Sequence, residues 1–319
     1  MKKIISLALV LLLTMSLVTC AFAEEKSDQL YIEVAAMSNL AYFYDHQMGC
    51  AAAGEDLGVK TEYVGPPDYD MDAMIAAFET AIVKQPNGIA VIGYEDTLGP
   101  VIDKATEAGI PVVTVDGDVN NCSRLCFIGT GNYNAGYQGG LAVAESIGGK
   151  AKVALMTKPG QGNLEERIDG YEAAFANYPD IEIVQIADTQ SDTNVAAQAA
   201  SALLQKYPDL AAIACVEAAG GSGAATAVRE AGLEGKVKIT SMDRDDDILN
   251  AIEDGVITIS VAQQSALMSY MAIQVLYNLN NNKMLVTTDN AAAGVSGVPA
   301  TIDTGVLIIN ADNAQYFRR

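Results

Sequence analysis

Short apolar segments alternate with segments of helical length along most of the chain, and this alternation restricts the possible folds more than any other feature. Residues 88–92, for example, form an apolar run that ends at Gly93, which is typical of a strand buried in a parallel sheet. Strands separated by helices of about 10–15 residues predict parallel sheets covered by helices on both faces. The predicted strands are residues 31–36, 61–64, 88–92, 112–115, 127–128, 152–156, 182–187, 211–215, 238–241, 257–261 and 304–309.

Each half of the chain, before and after about residue 131, contains a full set of predicted strands and helices for one such sheet. A chain of 319 residues is long enough for two domains of roughly 150 residues each. The pattern therefore predicts an α/β protein with two doubly wound parallel-sheet lobes. Ligands of such sheets bind beyond the carboxyl ends of the strands.

Polar and aromatic side chains recur at these predicted strand ends in both halves of the chain. They are Ser38, Asn39, Tyr42 and Phe43 after the first strand, Asp116 and Asp118 after the fourth, and Glu217, Asp243 and Gln263 in the second half. Acidic residues at strand ends also cap helices, so each residue by itself is either a cap or a ligand contact. Their joint occurrence favours a ligand site.

The first 23 residues have the pattern of a secretory signal peptide. Two lysines precede an apolar region at residues 4–18, which is shorter than the roughly 20 residues of a membrane span. An Ala-x-Ala cleavage site follows at residues 21–23, so we expect an exported protein. A lipid anchor at Cys20 is the alternative, because residues 17–20 resemble a lipoprotein processing site.

The formal net charge of −21 results from 19 Lys and Arg against 40 Asp and Glu. An acidic surface repels phosphate backbones and anionic lipid heads, so we expect no nucleic-acid partner. The chain has no Trp and a single His, at position 46, which leaves too few ligands for most His-based metal sites. We expect neither a metal nor a cofactor. We place His46 at the surface or at a cleft rim.

Four cysteines follow the predicted cleavage site, and export makes disulfides possible. Cys122 and Cys126 lie in one loop that runs into a strand, where they could close a small ring. Cys50 and Cys215 have apolar neighbours and are predicted to be buried in the core.

Motifs of common catalytic and nucleotide-binding sites are missing or misplaced. The turn after the first strand, residues 37–41, lacks the glycines that a dinucleotide pyrophosphate requires. Residues 220–223 resemble a nucleophile elbow, but the single His precedes Ser222 in the chain, so we assign this serine to the start of a helix. A glycosidase-like pair among the strand-end carboxylates stays an open alternative, since the sequence does not define their separation.

Three segments in this order and spacing resemble the type I periplasmic sugar-binding family, typified by ribose-binding protein. They are IPVVTVD at residues 110–116, RIDGY at residues 167–171 and SMD at residues 241–243. The resemblance extends from about Tyr31 to Ile309 and implies two lobes joined by a hinge with several chain crossovers.

The resemblance also implies where the lobes begin and end. The N-terminal lobe would be residues 24–131 plus 264–295, and the C-terminal lobe residues 132–263 plus 296–319. The crossovers would then lie near Gly131, near Gln263 and at residues 294–297.

Site residues follow from the resemblance position by position. Tyr42 and Phe43 match the family's paired aromatic residues after the first strand, and Asn132 matches an asparagine at the lobe crossing. Arg167 matches the arginine of the R-x-x-G-aromatic element. The predicted ligand-binding residues are Tyr42, Phe43, Asp116, Asn132, Arg167, Glu217, Asp243 and Gln263.

Several positions depart from a ribose site. Gly117 stands where ribose binders have an arginine, and Met242 replaces an aromatic residue. The segment at residues 63–67 and the acidic Asp116-Gly117-Asp118 resemble the autoinducer-2-binding branch. Hexoses, pentoses and polyols therefore all remain open as ligands.

The resemblance implies a non-enzymatic solute-binding protein that captures a monosaccharide-like ligand by lobe closure and delivers it to an ABC transporter permease. One alternative is a sensor module that passes its sugar- or autoinducer-2-bound state to a membrane receptor. Another is an exported hydrolase. A DNA-binding regulator of the same fold would need a basic face, which a charge of −21 opposes.

Overall fold

The structure is a computed structural model that describes residues 27–318. The predicted signal peptide, residues 1–23, and the possible lipid anchor at Cys20 lie outside the described residues. Within residues 27–318, no helix is both long enough and apolar enough to span a membrane.

The first half of the chain alternates strands and helices as expected. Its elements are β1 (Leu30–Val34), α1 (Ala41–Leu57), β2 (Lys60–Val64), α2 (Met71–Val83), β3 (Gly88–Ile92), α3 (Gly99–Glu107), β4 (Val112–Val115) and β5 (Phe127–Gly129). Every residue of β3 and β4 is buried, as the apolar runs predict. Helix α2 begins where the Asp70 side chain accepts a hydrogen bond from the Ala73 amide, which satisfies a free N–H of the first turn.

The second half repeats this alternation. Its elements are α4 (Asn132–Ser146), β6 (Lys150–Thr157), α5 (Gly162–Phe175), β7 (Asp180–Asp188), α6 (Thr193–Lys206), β8 (Leu210–Cys215), α7 (Ala218–Ala231), β9 (Lys238–Met242), α8 (Asp246–Glu253), β10 (Ile259–Gln263), α9 (Ser265–Asn280), α10 (Asn290–Ala293), β11 (Thr301–Asp303) and β12 (Val306–Ile309). Ser222 lies in the first turns of α7, as predicted.

The strands form two six-stranded sheets with the same internal order. The first runs β2-β1-β3-β4-β5-β11 and is parallel throughout. The second runs β7-β6-β8-β9-β10-β12 and is parallel except for β12, which pairs antiparallel with β10. In each sheet the second strand in chain order lies on one side of the first strand, and the third lies on the other side. This reversal of strand order creates a crevice at the carboxyl ends of the strands. The predicted architecture of two doubly wound α/β lobes is confirmed.

Helix α9 follows a strand of the second sheet but packs on the first. Its residues Met268, Ala272, Ile273 and Leu276 lie in the same apolar core as strands β1, β3 and β4. The chain therefore crosses between the lobes at residues 263–265, as it also does between β5 and α4.

The third crossover differs from the expectation of residues 294–297. Strand β11 pairs with β5 in the first sheet, so residues 301–303 belong with the N-terminal lobe and the chain crosses at Thr304-Gly305. Gly305 has a φ of +70°, which permits the turn between the two sheets. The Asp303 carboxylate accepts hydrogen bonds from the amides of Gly131 and Gly305, at 2.8 Å each, and thereby ties two crossovers together.

Candidate functional site

A cleft of about 960 Å³ lies at the carboxyl ends of both sheets, where the strand order predicts a ligand site. Residues of both lobes line it. They are Tyr42, Tyr69, Gly93, Tyr94, Asp116, Gly117, Asp118, Asn120 and Phe127 from the N-terminal lobe, and Asn132, Gln161, Gly162, Asn163, Leu164, Glu166, Arg167, Glu217, Asp243 and Gln263 from the C-terminal lobe.

Asp116 is the central acceptor of the N-terminal wall. It follows β4 with a φ of +65°, an uncommon backbone conformation for a residue other than glycine. The Tyr42 hydroxyl donates to Asp116 Oδ1 at 2.8 Å, and the Tyr94 hydroxyl donates to Oδ2. Burial raises the pKa of both phenols, and the Asp116 charge raises it further, so both hydroxyls keep their protons and act as donors.

Arg167 is the cation of the C-terminal wall, and its side chain is 5% exposed. Its Nε donates to Asn132 Oδ1 at 2.9 Å, and its Nη1 donates to the carbonyl oxygen of Val216 at 2.9 Å. These bonds use two of the five guanidinium N–H groups and fix the plane of the group. Helix α5 approaches α4 closely enough to hold it there, because Gly136 lies against the Arg167 backbone, where a Cβ would clash.

Two further carboxylates face the cleft from the C-terminal lobe. Glu217 accepts hydrogen bonds from the hydroxyls of Thr189 and Ser191. Asp243 follows β9, also with a φ of +65°, and accepts from Gln263 Nε2 at 3.2 Å. Burial raises the pKa of Asp243, and nearby Asp116 adds to the rise, whereas Arg167 and Gln263 lower it.

Seven of the eight predicted ligand-binding residues line this one cleft. They are Tyr42, Asp116, Asn132, Arg167, Glu217, Asp243 and Gln263. Phe43 is the exception, because it is 1% exposed and packs edge-on behind Tyr42, with 5.3 Å between the ring centroids. Neighbouring positions of a helix point about 100° apart, so only one of the pair can face the cleft.

Tyr94 supplies the second aromatic ring of the cleft, and sequence reasoning missed it. It comes two residues after β3, so the strand-end rule that identified Asp116 would also have found it. Tyr69 and Phe127 were missed as well. Tyr69 lies in the loop before α2, where no strand-end signal points to it.

His46 is not at the surface or at a rim, as the sequence suggested, but wholly buried. Its Nδ1 lies 2.7 Å from Ser269 Oγ on α9, and its Nε2 lies 3.9 Å from Asp116 Oδ2. The prediction was wrong because α9, which covers this face of α1, comes from more than 200 positions further along the chain.

The four cysteines within residues 27–318 are free, including the pair expected to close a small ring. The Cys122 thiol donates a hydrogen bond to the Val119 carbonyl, and the Cys126 thiol donates one to the Phe127 carbonyl. Each thiol therefore has a backbone partner instead of a disulfide. Burial raises the pKa of Cys126 to about 11, which keeps this thiol protonated and unreactive. Cys50 and Cys215 are buried in the core, as predicted.

The cleft also contains a pre-formed ion pair at its N-terminal edge. Arg124 Nε donates to Asp118 Oδ1 at 2.6 Å, and its Nη2 donates to Oδ2 at 2.5 Å. A two-point pair of this kind is geometrically rigid, so it shapes this edge. Over residues 27–318, no group of three or more His, Cys, Asp or Glu side chains is arranged to hold a metal ion.

Comparisons with known proteins agree with this geometry. A family model described as a periplasmic binding protein domain matches residues 34–284. The D-allose-binding periplasmic protein of Escherichia coli K12 is 25% identical over 291 residues, covering 88% of this chain and 92% of that protein.

Two solved structures are similar over nearly their whole length. AraP, an arabinose-binding protein from Geobacillus stearothermophilus, has 32% identity and a TM-score of 0.86, covering 92% of this chain and all of that one. A chain of a structure described as a XylFII–LytSN complex mutant, D103A, has 25% identity and a TM-score of 0.75, covering 90% of this chain and 99% of that one.

Proposed function

The chain belongs to the periplasmic binding protein domain family, and we therefore propose that it captures a monosaccharide or a related polyol and delivers it to an ABC transporter permease. One observation carries the proposal: hydrogen-bond acceptors and donors from both lobes face one cleft at the carboxyl ends of the two sheets.

The chemistry of the cleft matches a polyhydroxylated ligand. The carboxylates of Asp116, Glu217 and Asp243 accept hydrogen bonds from sugar hydroxyls, and such charge-assisted bonds are about twice as strong as neutral ones. Arg167 donates to ring or hydroxyl oxygens. Tyr42 and Tyr94 supply ring surface for the C–H face of a sugar, the role that sequence reasoning had assigned to Tyr42 and Phe43.

The charge of the cleft favours a neutral ligand. Four carboxylates, Asp116, Glu166, Glu217 and Asp243, line it with Arg167 as the lining cation, and the charge of Asp118 is balanced by Arg124. A sugar acid or sugar phosphate would bring a further anion into this field, at an electrostatic cost that increases as the cleft closes and loses water. Neutral pentoses, hexoses and polyols therefore fit better than anionic sugars.

Binding rather than catalysis explains the partners of the carboxylates. Asp116 accepts from two phenols, Glu217 from two hydroxyls and Asp243 from an amide, so each is arranged as an acceptor. A glycosidase would need one of them as a protonated acid positioned to donate to a leaving group. We propose that this chain, like its sugar-binding relatives, is not an enzyme.

A thermal-shift screen with calorimetry on the hits tests the proposal. The panel is D-ribose, D-arabinose, L-arabinose, D-xylose, D-allose, D-fructose and xylitol, with D-galacturonate and D-ribose 5-phosphate as anionic members. A bound sugar raises the melting temperature because it binds only the folded state.

We expect Arg167→Ala to abolish the shift, and Arg229→Ala to leave it unchanged. Arg229 is the matched control, since it pairs with Asp254 at 2.8 Å on the surface of the same lobe. The proposal fails if no neutral member of the panel binds, or if binding survives both Arg167→Ala and Asp116→Ala.

A sensor role is the second candidate, favoured by the similarity to a chain of the XylFII–LytSN complex. In this role the closed, sugar-bound form would bind a membrane receptor instead of a permease. Pull-down of solubilised membranes with the sugar-loaded protein separates the two, because it recovers either a permease or a receptor.

We also propose that the protein is exported, since its relatives are periplasmic binding proteins. The mass of the protein purified from its native host tests how the leader is processed. Cleavage after Ala23 and lipidation at Cys20 give different N termini, and retention of the full leader would contradict export.

A further inference from the structure

A row of buried polar groups extends behind Asp116 into the core of the N-terminal lobe. Ser269 Oγ donates to Glu33 Oε1 at 2.7 Å and lies 2.7 Å from His46 Nδ1. His46 Nε2 then lies 3.9 Å from Asp116 Oδ2. Glu33, His46 and Ser269 are fully buried, and burying such groups is costly unless they satisfy one another.

Counting protons along the row fixes one nitrogen of the imidazole. A hydroxyl has a single proton, and Ser269 donates it to Glu33. Ser269 must therefore accept from His46, which places a hydrogen on Nδ1. The other nitrogen, Nε2, is buried, forms no hydrogen bond and faces Asp116.

His46 lies between two carboxyl groups. Its Nδ1 lies 3.5 Å from Glu33 Oε1, and its Nε2 lies 3.9 Å from Asp116 Oδ2. A proton on Nε2 makes the ring a buried cation that donates towards Asp116. Without that proton, a lone pair faces the carboxylate and repels it.

A positive charge on the His46 ring has its largest effect when the cleft is closed on a ligand. Asp116 and Asp243 line the same cleft from opposite lobes. Lobe closure removes water from between them and strengthens their repulsion. A positive charge behind Asp116 offsets this repulsion, so the protonated ring favours the closed, sugar-bound state.

We propose that His46 is a proton-dependent positioning residue for Asp116, so that sugar affinity falls as the pH rises through the titration of this ring. The inference rests on the proposed sugar site. By linkage, a bound sugar must also shift the titration of His46 upward by the same factor.

Several other titratable groups adjoin the ring or the two carboxylates beside it. They are Glu33 on β1, Tyr63 on β2, Tyr94 after β3, Asp116 after β4, Asp243 on the opposite lobe, and Tyr42, Asp45 and Cys50 on α1, with Arg244 paired to Asp45. Burial raises the pKa of the phenols and of the Cys50 thiol. Between about pH 6 and about pH 8, the phenols and the Cys50 thiol therefore keep their protons.

The ligand-free arm of the test uses the fact that the chain has a single histidine. Untagged protein labelled with ¹⁵N-histidine gives imidazole signals from His46 alone, and these report the protonation of each nitrogen. We expect Nδ1 to stay protonated throughout, and the titration midpoint to fall to lower pH in Asp116→Asn, which removes the facing anion. A midpoint that Asp116→Asn does not move overturns the proposal, whether or not any sugar binds.

The ligand arm measures affinity by calorimetry at about pH 6, 7 and 8, with L-arabinose or whichever panel sugar binds more tightly. In the parent protein we expect affinity to fall by at least about fivefold over this range. His46→Gln, which keeps an amide near the position of Nε2 but cannot titrate, should bind with a flat pH profile. Tyr44→Phe, on the exposed face of the same helix, is the matched control and should keep the slope of the parent.

A parent profile that is flat, or a slope that persists in His46→Gln, overturns the proposal. If His46→Gln does not fold, the ligand-free titration of the parent and of Asp116→Asn still decides it. If no panel sugar binds, the proposed function fails, and the same ligand-free titration separately decides whether His46 is coupled to Asp116.

Discussion

The two lobes place an aspartate at the same point of the same strand order, but they give it different partners. Asp116 follows β4 and Asp243 follows β9, each with a φ of +65°. Asp116 accepts from two phenols of its own lobe, whereas Asp243 accepts from the Gln263 amide beside a crossover. The shared backbone position thus reflects the strand order, and the partners reflect the local sequence of each lobe.

The source of positive charge also differs between the lobes. The C-terminal wall has Arg167, which is held by Asn132 and the Val216 carbonyl. The N-terminal wall has neutral phenols at the surface and the ring of His46 behind them. The C-terminal wall therefore has a guanidinium group at the cleft, whereas the N-terminal wall has an imidazole ring buried behind its phenols.

The largest expected effect comes from replacing Arg167 by lysine, which keeps the positive charge of the C-terminal wall but removes the planar guanidinium. Arg167→Lys has a single ammonium, which cannot bond Asn132, the Val216 carbonyl and a sugar together. We expect a loss of about 4 kcal/mol in sugar binding, roughly a thousandfold in Kd by calorimetry. Retention of affinity within tenfold would mean that the C-terminal wall does not depend on a fixed guanidinium.

The second-largest effect is expected from breaking the ion pair that joins the two lobes, and it is measured as a loss of stability. Asp45 Oδ2 on α1 lies 2.6 Å from Arg244 Nη2, and both side chains are largely buried. Arg244→Gln removes the cation from a buried carboxylate, and we expect a loss of about 3 kcal/mol in the free energy of unfolding by urea titration. Arg318→Gln, which removes exposed ion pairs, is the control and should cost less than about 1 kcal/mol.

A smaller effect is expected from removing one phenol hydroxyl from the N-terminal wall. Tyr94→Phe keeps the ring but removes a donor to Asp116, which should cost about 1.5 kcal/mol, or roughly tenfold in sugar Kd. Ser191→Ala removes one donor from Glu217 in the other lobe and provides the matched comparison. If the serine variant loses much more affinity than the tyrosine variant, the N-terminal wall is not organised around Asp116.

The smallest effect concerns stability without ligand. Burial raises the pKa of Asp243, so folding favours its protonated form, and the contribution is present at low pH and lost as the pH rises through the folded-state value. We expect sugar-free Asp243→Asn to melt at a higher temperature than the parent near neutral pH. Thermal melts at several pH values measure this difference in melting temperature, which should disappear as the pH falls below 3.8, the ordinary pKa of an aspartate. A lower melting temperature for the variant near neutral pH would contradict the assignment.

Much of the site could be predicted from strand ends alone. Asp116, Glu217, Asp243 and Gln263 follow apolar runs that read as buried strands, and parallel strands bring their carboxyl ends to one edge. The same rule applied to β3 would have added Tyr94. These residues were accessible because their positions depend on local periodicity and on a general property of the fold.

Tertiary structure decided the rest. Local pattern does not distinguish Tyr42 from Phe43, since the neighbours of α1 determine which ring faces the cleft. His46 is buried because α9 returns from the other lobe to cover α1, at a point where Gly49 lies against the Ala266 backbone. The last crossover depends on β11 pairing with β5, more than 170 positions earlier in the chain.

Local sequence patterns were sufficient to predict the two doubly wound lobes, the edge at which the cleft lies and most of the polar side chains in it. Periodicity and strand ends are local, and a parallel sheet converts them into a common edge. Three features required the folded structure: which aromatic ring faces the cleft, where the third crossover lies and what surrounds the single histidine. Those features depend on contacts between segments distant in the chain, and no local pattern encodes such contacts.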